Sequence, residues 1–579
     1  MKAIYLLILA AVISLTACNK DFLDKQPLAS VSEETFFKKA SDFKVYVNNY
    51  YDGLGDYTGF SIGPNDLGTD NQVDMEPNEH LNGRTVKPSA DPEWSNPYEA
   101  IRGLNIMLTN TGGVDFDQIK PYVGEARFFR AFQYFQLLKR FGGVPWINVP
   151  LTPQDREALK APRQPRNVLA DSILADLDTA IAYLPSKSDA EAMRINKEVA
   201  LALKSRVALY EGTWEKYHGQ KGTVFKVEGA DGTAYLQMAA DAAWQVIQSG
   251  QFSVEKIGME PYFDFFARED FSASTEVMLW RKNDRTLRQW NVERQIYIGG
   301  GTGGLTKNLI ESYLAIDGQP ISLTNLEISD DSLAAVVQNR DPRLAQSIYY
   351  TGEPRLINDA TGAILDYFIY TDLTRVPTGY QYRKKSSLKS SVIGANNIGQ
   401  QGHIYFRYAE VLLNYIEAKS ELDASGDATL TQADIDETIN SLRDRVGMPH
   451  LSLAVPITDP DNTFTGDIPW YLVEIRRERR IELAVEGYRR DDIMRWAAAD
   501  KLIKGKVFLG APFQWYVDRG FYEATGQIRH VDQNGILCPW FETDIYTQGG
   551  YGFNLDRDYL YPVPLQQELL AGYTNNPGW

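Results

Sequence analysis

The most suggestive spacing in the chain is Gly299-x-Gly301-x-x-Gly304, within IGGGTGGLTKN at 298–308. In a dinucleotide-binding loop such glycines let the backbone close on a pyrophosphate at a helix N-terminus. The motif then lies inside a βαβ unit, with an acid at the end of the next strand. A possible strand (QIYI) precedes the glycines and a helix-like run (NLIESYLAI) follows. The wider context disagrees. RTLRQWNVERQIYI is polar and charged, the next acid, Asp317, lies at the helix exit, and no alternating parallel-strand pattern surrounds them. The glycines are expected instead to form a tight turn, or to let a ligand or another loop approach the backbone.

Other reactive constellations are sparse. The histidines (80, 218, 403, 450, 530) are scattered, with no H-E-x-x-H and no cysteine partner, so no metal site is expected. There is no G-x-S-x-G. Asp70, Asn71, Asp74, Glu76 and Glu79 form an oxygen-rich run that lacks a D-x-D-x-D-G calcium loop, and it reads as a solvated acidic segment. No carboxylate spacing marks a glycosidase pair. No catalytic residue and no cofactor is expected.

Sugar recognition has a different signature: aromatic rings for the apolar C–H faces, and carboxylates, amides and guanidinium groups for the hydroxyls. The segment RKNDRTLRQWNVERQIYIGG (281–300) has this mix. Trp290 and Tyr297 are candidate stacking platforms, with Arg288 and Asn291 as polar clamps. PNDLGTDNQVD (64–74) offers Asp66, Asp70 and Asn71 as hydroxyl acceptors. The alternative for Trp290 is a ring tucked beneath its own loop. Trp94, at a helix entry, is expected to pack, and Cys538 to be a buried thiol beside Trp540. The 504–562 segment, with FQWY and CPWFETDIY, is a third contact surface or a partner interface.

The elements that must hold these loops read as helices. EARFFRAFQYFQLLKRFGGVP puts Phe128, Phe132, Phe135 and Leu138 on one side, and Gly142, Gly143 and Pro145 stop it. RYAEVLLNYIEAKSEL aligns Tyr408, Val411, Leu412, Tyr415 and Leu422. Further helical runs occupy 168–184, 196–214, 234–248 and 434–447, and Ser30–Glu33 has the form of a capping box. Neighbouring helix pairs with small Ala positions suggest a tetratricopeptide-like array. Long Gly-, Asn- and Tyr-rich segments separate them, longer than ordinary connections unless they bind something. The expected class is mainly α: paired helices as scaffold, with long irregular loops and a few short strands building a binding face.

A formal charge of −17 disfavours nucleic acid. The dense basic run RRERR (476–480) is interleaved with Glu474, Glu478 and Glu482 at helical spacing. It reads as an ion-paired helix that can bury a charge network. Two cysteines, Cys18 and Cys538, exclude a stapled scaffold.

The first residues give an address. MKAIYLLILAAVISLTACNK has a cation at Lys2, an apolar run from Ala3 to Ile13 and then small residues, the layout of a secretory signal. The run is shorter than the roughly 20 residues a bilayer needs. Leu15-Thr16-Ala17-Cys18 resembles a bacterial lipobox, which implies lipidation of Cys18 and near-permanent anchoring by its acyl chains. The chain is thus read as a signal peptide at 1–17 and a mature protein from Cys18, tethered at its start.

Four stretches in order, 126–147, 406–422, 474–496 and 559–579, together with the lipobox and DFLDKQPLASVSEETFF, resemble the SusD-like (RagB/SusD) outer-membrane lipoproteins. The resemblance spans Cys18 to Trp579. It implies an N-terminal SusD-like region at 18–230 and a C-terminal RagB/SusD region at 231–579, packed as one body. It also implies four tetratricopeptide-type helix pairs under the loops and an outer-membrane location facing the exterior. The implied partners are an oligosaccharide and a SusC-like TonB-dependent transporter, with glycan bound and not cleaved. Within the same frame, the alternatives are a peptide- or other nutrient-binding lid of such a transporter, and a surface glycosidase.

Overall fold

A computed structural model describes residues 36–55, 61–300, 302–393, 399–520, 531–540 and 543–579. Cys18, the leader, the Ser30–Glu33 capping box and Gly301 lie outside them. The framework consists of α1 (Ala40–Asn48), α2 (Pro92–Thr109), α3 (Phe116–Phe141), α4 (Arg166–Tyr183), α5 (Lys197–Gln220) and α6 (Thr233–Gln248), followed by α7 (Val292–Ile298), α8 (Tyr408–Ser425), α9 (Trp470–Glu482) and α10 (Arg489–Arg495). Local chemistry starts them. Asp91 accepts the Glu93 N–H at 2.9 Å with Pro92 in the first turn of α2, and Asn196 accepts the Val199 N–H at 3.0 Å for α5.

From α2 to α6 each helix packs on the next, and α8 closes on α6 and then meets α9. α3, α5 and α8 bury side chains around most of their circumference, so they are interior helices. Ala200, Ala202, Ala239, Ala240 and Ala243 are buried on α5 and α6, small positions that suit a close helix pair. The largest core cluster runs from Phe37 to Val563, so one continuous core crosses the 230/231 boundary.

Among the described residues, three two-stranded antiparallel sheets decorate this body: β1 (Gln72–Val73) with β3 (Gly304–Leu305), β2 (Val277–Arg281) with β6 (His403–Arg407), and β4 (Pro354–Ile357) with β5 (Ile364–Tyr367). QIYI, expected as a strand, is instead the end of α7, which runs on until Gly299 closes it at φ 67°. A stretch of four residues cannot distinguish the two periods, and the left-handed glycine cap decides.

The charged helix α9 is buried, not solvated. Glu482 receives Arg407 at 2.8 Å and Arg343 and Arg445 at 3.2 Å each, while Glu478 receives Arg343 at 2.5 Å and Arg443 at 3.0 Å. Burial by itself raises the Glu482 carboxyl, but Arg445, Arg407 and Arg343 outweigh it and hold it at about 2.

Candidate functional site

Two loop regions singled out in the sequence come together. β1–β3 joins the 64–74 segment to the glycine loop, with Gln72 opposite Leu305 and Val73 opposite Gly304. The Gln72 amide donates to the Thr302 carbonyl at 2.6 Å, and the Thr306 N–H to the Asn71 carbonyl at 3.0 Å. Gly303 has φ 57°, and a Cβ there would lie 2.1 Å from the Val73 carbonyl oxygen. Another loop therefore occupies the space that the glycines leave, and the loop is a packing device.

The candidate acceptors face inward. Asp66 accepts the N–H groups of Val485 (2.8 Å) and Gly487 (3.1 Å) and the Asn71 amide (2.9 Å). Burial raises its pKa against those three donors. Asp70 takes both Nε and Nη2 of Arg489 at 2.7 Å, and Arg480 at 3.1 Å. Burial opposes its ionised form, yet Arg480 and Arg489 keep it below the usual carboxylate range. Asn71 Oδ1 accepts Arg480 Nε at 2.7 Å. All three are about 1% exposed. Their lone pairs are spent on fastening the loop to α9 and α10, so the reading of them as hydroxyl acceptors is replaced by one of anchors.

Trp290 is enclosed as well. Its indole N–H donates to the Ser61 carbonyl at 2.7 Å, its backbone N–H to the Gly399 carbonyl at 3.0 Å, and it meets His403 edge-on at 5.0 Å. The tucked alternative describes it. Asn291 is buried and accepts the Gly399 N–H at 2.8 Å. Arg288 stays partly exposed and pairs with Asp52 at 2.8 Å.

Tyr297 is the candidate that keeps a half-exposed ring. Its hydroxyl donates to Asp366 at 3.1 Å, and the Arg355 guanidinium lies 4.0 Å from the ring centroid. Asp366 and Phe368 point inward from the β4–β5 hairpin. Leu365, Tyr367 and Ile369, alternating with them, are 53%, 49% and 53% exposed, with Tyr370 beside them at 40%. Strand period makes this an apolar outer ladder. Arg355, Asp366 and the ladder were missed in the sequence, where 347–403 reads only as a long loop.

A cleft lies behind the Trp290 loop, between α3, β6 and the turn into α10. Phe132, Gln136, Lys139, Lys385, Tyr405 and Tyr488 line it, with Trp290 and His403 at one wall. It holds about 160 Å³, close to the volume that accommodates a single six-membered ring in a well-studied engineered cavity. Burial, then the Lys385 and Arg281 charges, push His403 well below the usual histidine range, so it is neutral. Glu293 is pushed up to about 8, by burial first and by Glu269, and its Oε2 has no hydrogen-bond partner among the described residues. Trp94, Trp515 and Trp540 pack in the interior, and Cys538 is a buried thiol raised to about 11 by burial.

The molecule is therefore a tetratricopeptide-like helical scaffold bearing a loop-built rim and a ring-sized cleft. It belongs to the SusD family: the family model described as "SusD family" matches residues 271–579, and one described as "Starch-binding associating with outer membrane" matches 21–209. SusD-like protein P38 of Formosa agariphila is 25% identical over 93% of this chain and 96% of its own. A SusD-like carbohydrate-binding protein from Bacteroides fragilis superposes with a TM-score of 0.70 at 25% identity, over 93% of this chain and 99% of its own. A laminarin-binding SusD-like protein gives a TM-score of 0.54 at 20% identity, over 94% and 100%. Family membership associates the chain with carbohydrate binding and with an outer membrane. Among the described residues no helix is long and apolar enough to cross a membrane.

Proposed function

We propose that this protein captures an oligosaccharide at the outer face of an outer membrane and hands it, uncleaved, to a SusC-like TonB-dependent transporter. Cys18 is its lipid tether. The observation that carries the reading is the match of the SusD family model and a starch-binding family model to opposite halves of one continuous core. Tyr297 suits such capture, because an accessible ring flanked by a carboxylate and a guanidinium offers a face for C–H groups and both polarities for hydroxyls. An open rim buries little of its ligand, so micromolar to millimolar affinity is expected, about 4–8 kcal/mol. Capture followed by release needs no more.

Affinity gels and isothermal titration of the mature chain against a broad glycan panel test the reading, with product analysis after long incubation. Binding with unchanged chain length supports it. Silence across the panel, or shortened products, defeats it. For the tether, Cys18→Ala is expected to move the protein out of the membrane fraction.

A further inference from the structure

The cleft beside Trp290 has a charge character unlike the chain around it. Four cations line it, Lys139, Arg206, Lys385 and Arg407, against two acids, Glu486 and Asp491, in a protein of formal charge −17. Three of the cations have carboxylate partners. Lys139 pairs with Asp491 at 2.8 Å, Arg407 with Glu486 at 2.7 Å, and Arg206 with Glu410 at 2.6 Å from behind the wall. Lys385 has none within ion-pair distance among the described residues. Its Nζ donates to two neutral carbonyls, Pro64 at 2.9 Å and Val485 at 2.8 Å. An ammonium has three N–H groups, so one remains for the cleft.

The backbone that holds this ammonium is strained. Lys385 and Val485 both lie at positive φ, 67° and 64°, a region that costs an L-residue energy and a β-branched one most. Two such residues, joined by the Lys385 Nζ to Val485 carbonyl hydrogen bond beside a cleft, show a conformation imposed by the surrounding fold. The walls supply apolar contact from Phe132, Phe406 and Trp290. The Gln136 amide, half-exposed, has no hydrogen-bond partner among the described residues. A half-buried lysine hydrogen-bonded only to carbonyl dipoles among the described residues, in a ring-sized space with one free amide, is a preformed counter-charge.

We propose that this cleft receives a single sugar unit bearing an anionic group, a carboxylate or a sulfate, with the Lys385 ammonium as its partner and Gln136 hydrogen-bonding a ring hydroxyl. The inference rests on the glycan-capture reading and specifies its ligand class. Burial, partly offset by Glu486, brings the Lys385 pKa down to about 8, so the ammonium is still charged at neutral pH but weakly satisfied. An anion completes it.

Glucuronate, glucose 6-sulfate and glucose are titrated into the mature protein by isothermal titration and ligand-observed NMR, beside the neutral glycan panel. Either anionic sugar is expected to bind about tenfold to a hundredfold tighter than glucose, the range for hydrogen bonds to charged groups. The two arms separate carboxylate from sulfate. Lys385→Met is expected to abolish the preference. Because it alters a strained, half-buried position, Gln136→Glu is the second variant: it leaves Lys385 in place, sets a like charge in the cleft and is expected to reject the anionic sugars alone. If neutral glycans bind while neither anionic sugar outbinds glucose, or if the preference survives both variants, this inference falls and glycan capture stands. Silence toward every sugar, neutral and acidic, removes the capture reading instead.

Discussion

The surroundings of α9 and the rim beside Tyr297 treat polar groups in opposite ways. Around α9, Glu482 alone receives three guanidinium groups, and Arg343, Arg407 and Arg445 are each 2% exposed or less. At the rim, half-buried Tyr297 meets one carboxylate and one guanidinium and keeps part of its surface open to solvent. The first arrangement pairs each of these cations with at least one carboxylate, so its output is a fixed position for the strands and loops around it. The second leaves capacity over. Changes in the first should therefore be read in stability, and changes in the second in binding.

The largest expected effect comes from breaking the lattice. Glu482→Ala takes one carboxylate from three buried cations at once, leaving Arg343 with Asp341 and Glu478, Arg407 with Glu276 and Glu486, and Arg445 with Glu276. Removing one partner of a buried pair costs about 3–5 kcal/mol. Urea unfolding of the mature chain should show at least that loss. A loss below about 1 kcal/mol would mean that water or a shifted side chain already satisfies these arginines, and the contrast with the rim would dissolve.

Glu293 sharpens the comparison because it is an interior acid with no such lattice. Its folded pKa is raised to about 8, so the native state holds a proton that the unfolded chain releases near its ordinary carboxyl value. Native binding of more protons makes stability fall as pH rises from the unfolded value through about 8, by up to about 1.4 kcal/mol per pH unit. Glu293→Gln keeps the neutral shape and should flatten that slope, leaving the variant more stable than the parent at pH 8 and nearly equal at pH 4. Parallel melting curves across this window would show that Glu293 holds no such proton.

The loop anchors come next. Asp66→Ala leaves the buried Val485 N–H without an acceptor and frees the more exposed Gly487 N–H, a cost of about 1–3 kcal/mol. Glycan affinity is expected to follow stability rather than drop on its own. Full stability with lost binding would return Asp66 to the role of ligand contact.

These residues also show what a sequence discloses. The helices were readable because their constraint is local: Phe128, Phe132, Phe135 and Leu138 repeat at the helical period, and all are buried in α3. The charge pattern of α9 was readable as a buried network for the same reason, since Glu and Arg alternate on one helix. Asp66 and Asp70 were not, because their partners, Val485 and Arg489, are 419 residues away. A carboxylate in a polar loop looks alike whether it faces water or an arginine. Trp290 misled similarly, since an aromatic in a loop can be a platform or a plug and Ser61 decides. The cleft has no sequence signature: α3, Lys385, β6 and the α10 turn meet only after folding. Tyr297 was singled out by residue type in a segment expected to be a loop; it lies in α7, and its neighbours Arg355 and Asp366 needed the hairpin.

Tyr297 gives the smallest expected change in stability and the cleanest reading in binding. Truncation to Ala removes a half-exposed ring and one hydrogen bond, and leaves Asp366 and Arg355 near solvent, where they can rehydrate. The stability cost should stay near about 1 kcal/mol. If the ring carries a sugar face, its loss should weaken glycan binding about tenfold, or about 1.4 kcal/mol, while Tyr297→Phe, which keeps the ring and drops the hydroxyl, should lose less. That ordering separates stacking from hydrogen bonding. Equal losses in both variants would make the hydroxyl and its tie to Asp366 the active part. An unchanged affinity in both would shift capture to the exposed Leu365, Tyr367 and Ile369 ladder or to the cleft, and the rim beside Tyr297 would join α9 as scaffold.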